Sequence, residues 1–449
     1  MTAVPRNIQH RWIILICLFF FLAINFADKA VIGLAAGPIM RELHLTHGQF
    51  GRIAASFFTL FSLSSLLVGL LANRIKTRWL LLAMALIWSL SQLPLLLVAA
   101  PTTLIVSRVL LGASEGPAYP VAVHALYKWF VDEKRALPTS LLTIGAAFGA
   151  GLIAPLVTWM IVAFGWRSAF LVLAGVGVAW SMVWLWLGHE GPLDALPHGA
   201  VGVPATSTAR IPVRTLLLSR TCVAGNLSGF SAYVLLTLST IWLPSYLVRV
   251  AGYSLLQVGW IIVLPAFGQM VSAPLLGWWS QRLMRRGVSS RHARGTLGGV
   301  VVVISGAALA LIPSLPHGPL LIAAVTIAFS LASFTFTTGV TLAGEIIPAA
   351  QRGGLLGINV CITTLAGLIT PAVMGQLIDV AGDPLNGYRA GMLAAGAFAV
   401  AGGVISAWLV DPAGDQRRFA ALAQTLAGGP APTTPSSHAD KSAAAQRGV

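Results

Sequence analysis

The sequence predicts an all-α membrane protein: twelve transmembrane helices in two pseudo-symmetric six-helix bundles. Three observations predict it. Of 449 residues only 9% are charged and 57% are hydrophobic, against roughly 25% charged in a soluble domain. Apolar segments long enough to cross a bilayer, ~20 residues each, recur along the chain. The basic residues fall in alternate short loops between them.

The segments run at about 12–39, 50–72, 79–100, 103–127, 137–164 and 167–187, then 221–247, 257–280, 296–315, 319–342, 353–378 and 388–410. The first continues through Asp28 and Lys29 with no small-residue cleavage site after it, so it reads as a retained span and not a leader. Spans two and eight are followed by matching segments, Gly69 to Arg74 and Gly277 to Arg282. Spans five and eleven match too: Arg135 precedes Pro155 by 20 residues, and Arg352 precedes Pro371 by 19. This internal repetition predicts two halves, 1–188 and 220–410, with a site between them near the midplane. Residues 189–219 are rich in Pro, Gly, Ala, Ser and Thr and read as a linker, with a short interfacial helix around 211–218. The polar tail, 411–449, reads as disordered.

One set of loops holds 21 basic residues, among them Arg78, Lys128, Arg214, Arg291 and Arg417; the alternate loops hold 5, Arg41, Arg52, Arg167, Arg249 and Arg389. This predicts a multi-pass protein of the cell's inner (plasma) membrane with both termini cytoplasmic. The net charge of +15 is scattered over these loops, a pattern of topology and not of nucleic-acid binding. No Gly-Lys dipeptide occurs, so the phosphate-binding loop of an ATP-driven carrier is absent. Cys17, Cys222 and Cys361 lie in apolar stretches and do not form a disulfide framework. His44 and His47 make a poor metal site and read as solvated loop residues.

Four charges sit well inside spans: Asp28, Lys29, Arg108 and Glu115. Each costs about 2.5–3.5 kcal/mol on insertion scales, which points to function; the alternative is two structural ion pairs. Asp28 and Lys29 are adjacent and diverge by about 100°, while Asn25 can bond either. Lys29 reads as a counter-charge for an anion, Asp28 and Glu115 as proton carriers. Arg108 precedes Glu115 by seven residues on one face of span four, with Tyr119 one turn beyond. In this reading Arg108 holds Glu115 ionised in one state and releases it in another; a structural anchor is the alternative. Pro117 and Pro120 loosen this helix. Weaker candidates are Tyr233 in span seven, Gln269 in span eight, and Asn359 and Thr363 in span eleven. They read as cavity hydrogen-bonders, or as residues that bond their own helix. Gly145, Gly149 and Gly151 in span five read as close-packing positions.

These residues resemble the major facilitator superfamily over the chain to about residue 410. The Gly-x-x-x-Asn/Gln-Arg segments look like its loop motif, with Asn73 where Asp is usual. More specific segments resemble its anion:cation symporter branch of organic-acid permeases. They are Asn25-Phe-Ala-Asp28-Lys29-Ala30, the run from Arg108 through Gly112, Glu115 and Pro117 to Pro120, Lys128-Trp-Phe130, Trp242 to Tyr246, and Gly367 to Pro371. Phe26 and Lys29 stand where the branch has Tyr and Arg. The resemblance implies a monomeric, non-enzymatic carrier with a small-molecule carboxylate as substrate. Protons couple its transport, and it has no other cofactor. An exporter or facilitator of a neutral or cationic solute and a transport-inactive sensor are the rival readings. The particular carboxylate is not legible.

Overall fold

In the computed structural model the described residues are 5–71, 75–98, 100–131, 134–192 and 211–426. All regular structure among them is helical. Ten helices are singly long and apolar enough to cross a membrane, from His10–Leu34 to Pro384–Leu409. The other two expected crossings are each divided. Span two consists of His47–Ser56 and Phe58–Leu71. Span four consists of Pro101–Glu115 and Ala118–Tyr127. The break in span four falls at Gly116-Pro117, where proline lacks an N–H for the helical ladder. The same deficit acts in spans five and seven. There the turns ahead of Pro155 and Pro244, Phe148–Leu152 and Leu238–Trp242, widen to π geometry.

Large apolar side chains face outward along the bundle: Trp186 is 85% exposed and Trp408 76%. For a chain this apolar, lipid is the environment that makes such a surface stable. Inside, small residues set how closely backbones approach. A Cβ at Gly112 or Gly116 in span four would run into the Phe57 and Phe61 carbonyls of span two. Gly145 and Gly149 meet the carbonyls of Phe19 and Ala23 in span one, and Gly151 meets Ala266 of span eight.

The halves close on each other at the end of the bundle that carries His47. Gly33 packs on the Thr240 carbonyl, Gly51 on that of Pro371, and Gly375 on that of His47. Asp379 of span eleven accepts from the main-chain N–H groups of His47, 2.9 Å, and Gly48, 2.8 Å, at the start of span two's helix, where the helix dipole favours a carboxylate. The His47 ring adds bonds to Asp379, 3.2 Å, and to Arg249 of span seven, 3.3 Å. His47 is therefore an inter-half contact and not a solvated loop residue; its partners are 332 and 202 residues away in sequence.

One sequence expectation changes at the opposite end. The tail is not structureless from residue 411: Pro412–Leu426 is helical. Phe419 is buried with Ile211, Leu216, Cys222, Ile346 and Leu355, and Asp415 accepts from the Thr221 N–H at 2.8 Å. Apolar side chains one helical face apart supply the anchor, which overall tail composition conceals. The short helix after the linker, Val213–Leu217, packs Leu216 into the same cluster, while Val213 and Leu218 face outward. Residues 193–210 and 427–449 of the expected linker and tail, and the Asn73-Arg74 motif, lie outside the described residues.

Candidate functional site

The four charges predicted from sequence converge where spans one and four meet. Asn25, Asp28, Arg108 and Glu115 are all at most 1% exposed. Lys29 projects from span one and donates to Asn25 Oδ1 at 2.6 Å, one turn back as its spacing requires. Its ammonium lies 3.7 Å from Glu115 Oε2. It also stands over two rings, 4.2 Å from the centre of Phe26 and 5.2 Å from that of Phe61, positions that favour a cation.

Arg108 does not hold Glu115. Its guanidinium donates to the main-chain carbonyl of Asp28 at 3.4 Å and stacks 5.4 Å from the Phe170 ring centre. Two turns of helix put Arg108 and Glu115 on one face but about 10 Å apart along the axis. Span one lies alongside, and its Lys29 reaches Glu115 first. The pairing expected within span four is thus replaced by one between spans.

Asp28 has a different setting. Its Oδ1 accepts from Gln92 Nε2 of span three at 3.1 Å, and its Oδ2 has no hydrogen-bond partner. Both oxygens of Glu115 also lack hydrogen bonds, as does Asn25 Nδ2. Buried polar atoms are normally satisfied, and each exception calls for a cause, of which an exchanged ligand or proton is one. A proton added to Glu115 breaks no hydrogen bond. A carboxylate arriving at Lys29 finds an ammonium and an unused amide N–H side by side. Gln92 and Phe61 escape the sequence reading, because they lie on other spans and nothing in their spacing marks them as neighbours of a charge; Phe26, three residues before Lys29, enters it only as a departure from the branch pattern.

The weaker candidates divide. Asn359 accepts from Asn226 at 3.4 Å, and the Tyr119 hydroxyl pairs with Thr143 at 3.2 Å. Thr363 bonds the Val360 carbonyl of its own helix at 3.0 Å, and Gln269 bonds the Phe329 carbonyl of span ten at 2.9 Å. Tyr233 meets Phe58 across the two halves, ring centres 5.9 Å apart at 84°. Its hydroxyl makes no hydrogen bond among the described residues. The group thus combines a cation, two buried carboxyls and a rare unpaired amide at an interface between helices. No group of metal-ligating side chains occurs among the described residues.

Comparison with known proteins bears on the family and the fold. The probable sulfoacetate transporter SauU of Cupriavidus necator is 27% identical over 84% of this chain and 90% of its own length. The hexuronate transporter of Bacillus subtilis is 26% identical over 87% and 91%. The probable galactarate/D-glucarate transporter GarP of Escherichia coli K12 is 24% identical over 88% and 93%. A crystal structure of a bacterial homologue of the human lysosomal transporter Spinster superposes with a TM-score of 0.72 at 18% identity, covering 92% of this chain and 98% of the other. It shares the fold. The sequence profile described as Major Facilitator Superfamily matches residues 18–338, spans one to ten. With the twelve crossings, the buried charges and this match in hand, the chain belongs to the Major Facilitator Superfamily, as a multi-pass membrane transporter and not an enzyme.

Proposed function

We propose that this protein is a proton-coupled symporter that brings a small organic anion, a carboxylate or a close analogue, into the cell by alternating access. The contact between Lys29 and Glu115 carries this reading. In the described state Glu115 is the counter-charge of Lys29. A substrate carboxylate that reaches the ammonium replaces it, and Glu115 is left buried with no hydrogen bond. An unpaired buried carboxylate is costly, so binding of the anion favours uptake of a proton by Glu115. Substrate and proton then occupy the carrier together, which is the requirement for symport. Asp28, held by Gln92, is the second proton carrier. Arg108 fixes the backbone of span one at Asp28.

The relatives' printed names, all for organic-acid or sulfonate carriers, support the anion. The loop charges support an inner-membrane protein with cytoplasmic termini, and the absence of a Gly-Lys dipeptide supports transport without ATP. The test is uptake into proteoliposomes with and without an imposed pH gradient. Accumulation of an anion against its gradient, driven by inward protons, is expected. Downhill flux alone would make the protein a facilitator, and absence of flux would make it a sensor.

A further inference from the structure

We infer that the substrate is a monocarboxylate with a flat, apolar body, an arenecarboxylate in class, and not a polyhydroxylated sugar acid. This rests on the anion-carrier reading above and narrows it.

The surroundings of Lys29 carry the inference. A continuous series of rings begins at its ammonium and crosses between the halves. Phe26 and Phe61 flank the ammonium. Phe61 meets Phe58, 5.7 Å between centres; Phe58 meets Tyr233 of span seven at 5.9 Å; Tyr233 meets Phe336 of span ten at 6.0 Å. The angles between the last two pairs, 84° and 74°, are edge-to-face. A further ring can extend such a series with its carboxylate on Lys29.

Several polar side chains along the ring series bond one another or their own helix. Asn226 bonds Asn359, the Ser62 and Thr364 hydroxyls bond each other, and Thr363 bonds its own helix. The donors left over are the Tyr233 hydroxyl and the Asn25 amide N–H, the latter placed beside the ammonium where it serves the carboxylate. A sugar acid brings several hydroxyls, and each would lose water against ring faces without a partner. A site discriminates strongly by such unpaired groups.

Charge limits the anion to one carboxylate. Lys29 is the cation at the ring series, while Arg108 is buried against Phe170 and Asp28. A second carboxylate would face the negative faces of the rings.

The experiment is equilibrium binding to the purified full-length protein, by calorimetry, of benzoate, phenylacetate, D-galactonate, D-glucarate and sulfoacetate. Binding of an arenecarboxylate at least tenfold tighter than the sugar acids and sulfoacetate is expected. Phe61→Leu should weaken arenecarboxylate binding at least fivefold; a circular-dichroism melt of the variant verifies folding. Phe26→Tyr, which keeps the ring, verifies the wall without removing it: arenecarboxylate preference should narrow as a hydroxyl is added. If a sugar acid or sulfoacetate binds as well as or better than the arenecarboxylates, the inference is overturned and the anion-carrier reading stands. If none of the five binds, the inference is overturned, and the proteoliposome uptake assay decides the anion-carrier reading separately.

Discussion

The ammonium of Lys29 lies 3.7 Å from Glu115, whereas Arg108, on the same helix as Glu115, donates instead to the main-chain carbonyl of Asp28. The charge that matters to Glu115 therefore comes from another span. Any motion of span one against span four changes the setting of that carboxyl, and this ties its protonation to conformation and to the occupancy of Lys29.

Loss of the counter-charge should show in binding. Lys29→Met should remain folded and bind carboxylates at least tenfold more weakly, about 1.4 kcal/mol. Lys29→Arg should retain binding, since the charge remains, and should alter the range of anions through its planar fork. Titration calorimetry on both variants decides. Unchanged affinity in Lys29→Met would reassign Lys29 to structure.

Coupling should fail separately from binding in Glu115→Gln. Glutamine keeps the shape of a protonated glutamate and cannot ionise. We expect retained substrate binding and loss of accumulation driven by a pH gradient, with exchange across the membrane surviving. Asp28→Asn should also impair coupling. Its Oδ1 can still accept from Gln92, so the variant should fold, but the change lies next to Lys29 and makes a less clean test of coupling. Binding and uptake measured on one proteoliposome preparation separate these outcomes. Proton-driven accumulation by Glu115→Gln would pass the role to Asp28.

Asp379 should hold the His47 end of the bundle shut. It takes two N–H groups of span two and the His47 ring. In Asp379→Ala, a cysteine introduced at Thr240, beneath this contact, should react faster with an impermeant thiol reagent in intact cells lacking the three native cysteines. An unchanged rate would remove Asp379 from the closure.

The same contact should respond to acid. Burial holds the His47 ring below the ordinary histidine range. The neighbouring Arg249 adds to this, and Asp379 opposes it. Arg52 also lies beside Gly48, on the same side, and Trp242 stacks near the ring at 6.3 Å. The closed contact thus prefers the neutral ring. Its contribution is complete above the ordinary histidine range and is lost as pH falls through the lower value of the closed state. Labelling at Thr240→Cys should rise on acidification and lose part of that pH dependence in His47→Gln. A profile unaltered by His47→Gln would place the effect elsewhere.

The tail helix should stabilise the carrier. Phe419 is 4% exposed, so Phe419→Ala should cost about 3–5 kcal/mol of local stability, the range for a buried aromatic. Asp415→Ala should cost about 1 kcal/mol, as loss of a helix cap does. Faster proteolysis after residue 411 in Phe419→Ala is the expected readout. Wild-type resistance in that variant would mean the helix is not held by Phe419.

Much of this molecule was legible before any coordinates. Hydropathy marks where each helix runs, because a bilayer leaves a spanning chain few alternatives to a helix. The cost of burying charge singled out Asp28, Lys29, Arg108 and Glu115, since such residues persist in spans only for cause. Spacing along one helix put Asn25 within reach of Asp28 and Lys29, because three- and four-residue intervals are local geometric facts, and the structure joins it to Lys29. Proline chemistry marked the break beside Glu115.

The tertiary structure decided what meets across helices. That Lys29 and not Arg108 pairs with Glu115, that Gln92 holds Asp28, and that His47 joins Asp379 depend on which faces of separate helices oppose one another. Those faces are set by glycine contacts such as Gly112 and Gly116 against the Phe57 and Phe61 carbonyls. The ring series from Phe26 to Phe336 likewise draws on spans one, two, seven and ten. Sequence periodicity describes one helix at a time; rotation and depth between helices come from packing of the whole bundle.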